Sequence, residues 1–317
     1  KKKNMKQNIV VVAVICVLTL IFVPIICYFQ ASPLTSIQYQ ILKEGNVFVG
    51  FIAALAFTFG ELSGNVSQID KVWSIIPWLF NWYMTFRGNF PARSVMMSCL
   101  TTFWGLRLTI NFYNKGGYAW PIWNGEEDYR WALIRKNPFF HGKSSIRWTI
   151  FNLVFISVYQ SILIYLFSLP ILLTIDSPHS NQLFVSDFIL AFIILSLIII
   201  EWVADEQQNK FQAEKWRLIN ANLPLPEPYS KGFISTGLFR YSRHPNYAAE
   251  QSIWVFNYFF SVIATGEWFN WTIVGVILLL ILFQGSVNLS EGNTASKYPK
   301  YEEYAKKVPY RFIPYLV

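Results

Sequence analysis

The sequence has few charged side chains, few cysteines and few histidines. Charged residues make up 14% of its 317 residues and hydrophobic residues 54%, whereas a soluble globular domain carries about 25% charged residues. This deficit excludes an ordinary soluble domain and predicts an integral membrane protein. The three cysteines (Cys16, Cys27 and Cys99) show no CxxC or Cys/His spacing and predict no disulfide framework. With three histidines in all, no metal site is predicted either.

Several well-known sequence motifs are also absent. The chain contains no GxGxxG, no GxxxxGK[ST], no HExxH and no GxSxG. A Rossmann cofactor domain, a P-loop, a zincin and a serine hydrolase are therefore disfavoured.

Long apolar runs dominate the sequence. A membrane span needs roughly 20 apolar residues, and eight candidates predict an all-α polytopic membrane bundle of seven to eight transmembrane helices. The third candidate is short, and the seventh is interrupted by Asn246, Glu250 and Asn257. The eight candidates lie near residues 8–29, 46–62, 72–86, 94–113, 148–175, 187–204, 246–265 and 271–288.

The basic residues are distributed unevenly between the loops. With eight spans, 22 of the 26 Lys and Arg residues fall on one side of the membrane, and such residues accumulate on the side that is not translocated. Both termini are therefore predicted on the cytosolic or matrix side. This topology accounts for most of the net charge of +8, so no nucleic acid partner is expected.

The organisation is predicted to be a single integral membrane domain over residues 1–317, with an N-terminal span and loop over residues 1–45. Residues 289–317 alternate Lys and Glu with Tyr, which indicates an interfacial amphipathic tail. The clusters of chemically capable residues all fall on the basic side. They therefore predict a single site.

The first polar cluster spans Asn65–Pro77 and contains Asp70, and Glu61 lies one helical turn before it. Asp70 and Trp73 are three residues apart and would share a helix face. The alternative is that Ser67 or Asp70 merely caps the next span.

The second cluster lies in the fourth predicted span. Arg107 and Asn111 are four residues apart and so point the same way. An Arg within a span costs about 2.5–3.5 kcal/mol, so it normally pairs or faces a cavity. Snorkelling of Arg107 to the basic face is the alternative.

The third cluster ends the sixth predicted span and includes Asp205, Gln207 and Lys210. Asp205 is a candidate ligand for ribose hydroxyls or for a neighbouring cation. A solvated helix end is the alternative explanation for such a run.

The fourth cluster opens the seventh predicted span. Arg240, Arg243 and His244 could hold phosphate, and Asn246 and Glu250 lie one helical turn apart. The alternative is that Arg243 and His244 contact lipid headgroups while Asn246 caps the span. That alternative leaves the carboxylate of Glu250 unexplained.

In combination these segments resemble the steroid 5-alpha-reductase superfamily, and most closely its DUF1295 branch, from about Gly60 to the C-terminus. The resemblance is carried by Asn65-Val66-Ser67 with Asp70 and Trp73-Ser74, by Trp104-Gly105 with Arg107-Leu108-Thr109 and Asn111, by Ala204-Asp205 with Gln207, by Gly237-Leu238-Phe239 with Arg240 through Tyr247 and Glu250, and by Glu291 with Tyr298-Pro299.

This resemblance implies a steroid-reductase-like helical bundle that transfers hydride from NADPH to a carbon–carbon double bond of a sterol-like or other lipid. It implies that Asn246 and Glu250 contact the nicotinamide end of the cofactor. The other implied cofactor-binding residues are Arg107, Asn111, Asp205, Lys210, Tyr241, Arg243, His244 and Glu291. The implied candidates for the acid that polarises the substrate are Glu61, Asp70 and Tyr247.

Two positions depart from the family pattern: Ala249 replaces a Gly, and Asn288 replaces a Pro.

Two other functions stay open. One is a catalytically silent scaffold that serves as a structural subunit of a membrane complex, and the other is an isoprenylcysteine or phospholipid-type methyltransferase. The expected partners are membrane lipids, a lipid-like substrate and other membrane-complex subunits. The endoplasmic reticulum is the favoured location, with mitochondrial inner and bacterial membranes as alternatives.

Overall fold

The protein is helical throughout the part that the structure describes. The computed structural model describes residues 33–140, 142 and 145–314, together with Leu18, Ile21, Phe22 and Ile25. No strand occurs among these residues, and the predicted all-α class is confirmed. The first predicted span, near residues 8–29, lies almost wholly outside the described residues.

The described helices are joined by connections of very different length, of which the one between α8 and α9 is the longest. They are α1 (Ser36–Ser63), α2 (Gln68–Trp73), α3 (Ile76–Arg87), α4 (Ala92–Asn114), α5 (Tyr129–Arg135), α6 (Ile146–Phe151), a π-helix (Asn152–Tyr159), α7 (Gln160–Ser168), α8 (Val185–Asn220), α9 (Pro245–Thr265), α10 (Ile273–Lys297) and α11 (Tyr301–Lys307). Short 3₁₀ helices occupy Pro138–Phe140, Leu169–Thr174, Tyr229–Lys231 and Gly237–Arg240.

Four helical segments are long and apolar enough to cross a membrane: Ser36–Ser63, Ile146–Thr174, Val185–Asn220 and Ile273–Lys297. They indicate a membrane protein. Each overlaps a predicted span. In contrast, α3 has 12 residues and at about 1.5 Å per residue is too short for a bilayer. The total of seven to eight spans stays a prediction.

Local sequence signals set the ends of α1. Thr35 and Gln38 form a capping box, in which each side chain accepts the backbone N–H of the other residue, at 3.4 and 3.0 Å. At the other end Gly64 adopts the left-handed conformation, with φ of 65°, which glycine adopts without steric cost.

The chain forms two compact units. Unit 1 comprises the described residues of Lys1–Phe192 with Val255–Leu282, and unit 2 comprises Ile193–Trp254 with Phe283–Val317. Unit 1 holds most of the apolar helices, and unit 2 holds the polar end of α8 and the C-terminal segment.

Polar side chains connect α3 and α4 within unit 1. Asn81 donates to Thr101 at 3.0 Å, and the hydroxyls of Thr85 and Ser98 lie 2.8 Å apart. All four side chains are buried. Such hydrogen bonds between small polar residues are typical of helix packing in lipid, where apolar burial does not drive helix association.

The core of unit 2 is aromatic. Phe233 packs against Tyr301, Tyr304 and Val308, and the Tyr304 hydroxyl donates to the carbonyl oxygen of Phe239 at 2.5 Å. Burial raises the pKa of both tyrosines above the ordinary value. These two phenols of the C-terminal segment therefore pack inside the unit, and the interfacial placement of residues 289–317 stays a prediction.

Candidate functional site

A polar cluster in unit 2 joins α8 to the first turns of α9. Asn246 donates a hydrogen bond through Nδ2 to Oδ1 of Asp205 at 3.0 Å. Asp205 is buried and Asn246 is half-buried, so the amide is within reach of a ligand. Glu250 lies one turn further along α9, is buried, and accepts a hydrogen bond from the indole of Trp254 at 3.1 Å. The cluster therefore presents one amide and two carboxylates.

The segment that precedes α9 is fixed by α8. The side-chain oxygen of Gln207 accepts the backbone N–H of Leu238 at 2.9 Å. Gly237 has φ of +61°, and a Cβ built there would lie 2.4 Å from the same oxygen. The positive φ favours glycine at this position, and an added Cβ would displace the Gln207 side chain from its bond to Leu238.

Arg243 and His244 lie in a second network of unit 2, centred on Glu291. Arg243 donates through Nε to Glu291 at 2.6 Å and through Nη1 to the carbonyl oxygens of Val308 and Pro309 at 2.7 Å each. Nε2 of His244 lies 3.1 Å from the same Glu291 oxygen. This network attaches the C-terminal segment to the start of α9. In this network Nε and Nη1 of Arg243 are already engaged.

The remaining predicted residues of unit 2 lie around these two networks. Tyr247 stacks on the His244 ring, with ring centroids 5.4 Å apart. Tyr241 is exposed beneath the guanidinium of Arg240, which lies 5.3 Å from its ring centroid. Lys210 is exposed and pairs with Glu206 at 3.2 Å, one turn away on α8.

In unit 1, Asp70 lies against the loop that joins α4 to α5. It accepts the indole N–H of Trp131 at 2.9 Å. The Ser67 hydroxyl accepts the backbone N–H of Asp128 at 2.9 Å and makes no helix-capping bond. Ser67 therefore binds the loop and does not cap α2.

The electrostatic surroundings of Asp70 favour its protonated form. Burial raises the pKa of Asp70 above its ordinary value, and the negative charge of Asp128 raises it further. Burial would also raise the pKa of Asp128, but Arg130, 2.9 Å away, outweighs it and lowers that pKa. Asp70 is thus a carboxyl group suited to hold a proton beside an ionised neighbour.

The other predicted residues of unit 1 occupy separate positions. Glu61 accepts hydrogen bonds from Asn152 at 2.7 Å and from Thr149 at 3.1 Å. Asn152 begins the π-helix, a form often found at functional sites. Arg107 is buried on α4, and Asn111 is half-buried one turn later.

Comparison with known proteins identifies the family of this chain. The family model described as "Protein of unknown function (DUF1295)" matches residues 56–308. The chain belongs to the DUF1295 family. This family is related to steroid 5-alpha-reductase-like proteins. An uncharacterized protein of Schizosaccharomyces pombe is 35% identical over 264 residues, which cover 80% of this chain and 73% of that protein. No solved structure matches the chain significantly.

The two departures from the expected DUF1295 pattern differ in their surroundings. Ala249 is 2% exposed on α9, so its methyl group is accommodated within the protein. Asn288 is exposed on α10. The match to the DUF1295 model includes both positions.

Sequence reasoning missed two buried cations of unit 1. Lys71 and Arg93 entered the sequence analysis only in the count of basic residues in the loops between the predicted spans. In the structure the Lys71 ammonium donates to backbone carbonyl oxygens, and Arg93 forms a bidentate pair with Asp187. The sequence signal that could have indicated their burial is the position of each cation beside an apolar run, because a cation at such a position needs a partner.

Proposed function

We propose that this DUF1295 protein is a membrane reductase that uses NADPH to reduce a carbon–carbon double bond of a sterol-like or other lipid. The observation that carries the proposal is the hydrogen bond between Asn246 and Asp205, with Glu250 one turn away. Relation to the steroid 5-alpha-reductase-like proteins supports the choice of reaction.

The cluster in unit 2 fits the chemistry of NADPH. The carboxamide of nicotinamide offers a donor and an acceptor, and an amide such as Asn246 can satisfy both. Ribose hydroxyls are donors, for which the carboxylate of Asp205 is a suitable acceptor. The exposed guanidinium of Arg240 can bind phosphate without breaking an ion pair. The bound cofactor would supply the hydride.

The chain itself must supply a proton donor for the carbonyl oxygen that becomes an enolate. Burial raises the pKa of Asp70, so this carboxyl group keeps its proton to higher pH than an ordinary aspartate does. Both oxygens of Glu61 already accept hydrogen bonds, and the ring of Tyr247 is stacked on His244.

Ligand-induced stabilisation tests the proposal. The purified protein in lipid nanodiscs is titrated with NADPH and, separately, with S-adenosylmethionine, and thermal unfolding is followed. At 100 times its Kd a ligand stabilises the folded state by about 2.7 kcal/mol. We expect NADPH to raise the Tm and the methyl donor to leave it unchanged.

Variants test whether the Tm shift caused by NADPH arises at the cluster of Asp205, Asn246 and Glu250. Asn246→Ala should abolish the shift caused by NADPH, whereas Asn220→Ala, an exposed amide at the end of α8, should keep it. A shift with S-adenosylmethionine alone would replace the reductase with a methyltransferase. No shift with either ligand, together with other subunits that co-purify, would indicate the structural role.

A further inference from the structure

The loop between α4 and α5 in unit 1 exposes large apolar side chains. Trp120 is 87% exposed and Ile122 is 63% exposed, with Trp123 partly exposed beside them. These residues form neither a core nor a helix face. Tryptophan in particular is seldom left open to water, because its ring is large and apolar.

Side chains of α2 hold this exposed segment in one conformation. The Lys71 ammonium donates to the carbonyl oxygens of Ile122 at 2.9 Å and Asn124 at 2.6 Å. Gln68 donates to the carbonyl oxygen of Trp123 at 2.9 Å. Lys71 is 5% exposed, and a buried ammonium must be satisfied by acceptors such as these. The loop is therefore a fixed structure that presents its apolar side chains outwards.

Next to the loop, α1 ends with an apolar surface. Trp123 stacks on Phe59 of α1 with centroids 5.8 Å apart and planes within 3°. Phe51 and Leu62 on the same helix are exposed, and α1 is long and apolar enough to cross a membrane. The stacked pair thus lies close to the C-terminal end of a lipid-facing helix.

A second apolar surface approaches the loop along α4. Four exposed side chains on this helix recur at helical spacing, and the last of them lies just before the exposed Lys115 that begins the loop. These residues are Phe103, Leu106, Ile110 and Tyr113. Tyrosine followed by lysine is typical of the depth at which a helix leaves the hydrocarbon for the headgroups.

We propose that residues 118–124 form an interfacial anchor, which inserts Trp120 and Ile122 between phospholipid headgroups at the boundary with the acyl chains. The occupant is lipid because two exposed apolar helix surfaces lead to the loop, one of them on a helix able to cross a membrane, and a cation lies at its start. Tryptophan is suited to this depth, since its ring is apolar and its N–H can bond to headgroups or water. Lys71 is the positioning residue that keeps the anchor in shape.

Depth measurement with spin labels tests this anchor. The protein, with its three cysteines changed to serine, carries Trp120→Cys and is reconstituted into phosphatidylcholine vesicles. Collision of the nitroxide with oxygen and with a water-soluble nickel chelate reports its depth. Phe51→Cys on α1 marks the hydrocarbon, and Asn181→Cys in the exposed loop before α8 marks water.

We expect the label at position 120 to lose most of the nickel accessibility seen at position 181 while remaining shallower than the label at position 51. Nickel accessibility equal to that at position 181 would overturn the proposal. Broadening between two labels at position 120 would identify a second copy of the chain as the occupant and would overturn it too.

A second variant tests the positioning role. Lys71→Met keeps the methylene chain and removes the ammonium, so the label at position 120 should become more mobile and more accessible to nickel. Lys136→Met, at an exposed position after α5, is the matched control and should change neither quantity. An unchanged label in Lys71→Met would remove Lys71 from the anchor.

Discussion

Replacing Arg93 with methionine should strongly destabilise unit 1. Arg93 and Asp187 are both 0% exposed, and the guanidinium donates to both carboxylate oxygens, at 2.7 and 2.9 Å. It also donates to the carbonyl oxygens of His179 at 2.8 Å and Gln182 at 2.7 Å. The substitution leaves a buried carboxylate with one remaining bond, from the backbone N–H of Phe184.

The expected loss is large because a buried charge would be left without its counter-ion. Removal of one partner from a buried ion pair typically costs about 3–5 kcal/mol. At roughly 2–4 °C per kcal/mol for 150–250 residues, the Tm should fall by about 6–20 °C. Thermal unfolding of the detergent-solubilised protein, followed by near-UV circular dichroism, measures this directly.

Two comparisons make the measurement specific. Arg87→Met removes the partly exposed pair with Glu44 and should cause a much smaller loss, because solvent screens such a pair. Arg93→Met combined with Asp187→Leu should lose less than the sum of the two single changes. A Tm of Arg93→Met equal to that of the wild type, or strict additivity in the double variant, would refute the reasoning.

Two further predictions concern Asp70 and Gly237. Because burial raises the folded-state pKa of Asp70 above its ordinary 3.8, the stability it contributes is present at lower pH and lost as pH rises through that raised value. Asp70→Asn should therefore flatten the Tm–pH profile between pH 3.8 and that raised pKa, and an unchanged profile would contradict the raised pKa. Gly237→Ala should cost about 1 kcal/mol or more, since alanine fits poorly at φ of +61° and its methyl group would meet Gln207. Gly50→Ala, where no atom lies within 4 Å, should instead stabilise α1 by about 0.5–1 kcal/mol, as thermal unfolding of both variants would show.

The sequence predicted the helical class because apolar runs of 18 residues or more have no other stable form in lipid. It also placed Asn246 and Glu250 one turn apart, which follows from their spacing on a helix. It could not predict that Asn246 donates to Asp205, since 41 residues separate them. Only tertiary packing sets that contact.

The sequence also could not predict which backbone carbonyl oxygens the buried cations bind. Lys71 binds carbonyl oxygens of residues 122 and 124, and Arg243 binds those of residues 308 and 309. Every residue has a carbonyl group, so no sequence pattern identifies which one a buried cation will reach. The predicted phosphate role of Arg243 therefore took no account of the network that holds the C-terminal segment.

The central claim is that Asp205, Asn246 and Glu250 of unit 2 hold a nicotinamide dinucleotide. Equilibrium titration of NADPH, followed by energy transfer from protein tryptophan to the reduced nicotinamide, tests it most directly. The wild-type protein should show saturable transfer, and Asn246→Ala and Glu250→Gln should each lose it while cooperative thermal unfolding without ligand shows that both variants are folded. Saturable transfer of equal affinity in both variants, or its absence from the wild-type protein, would contradict the claim.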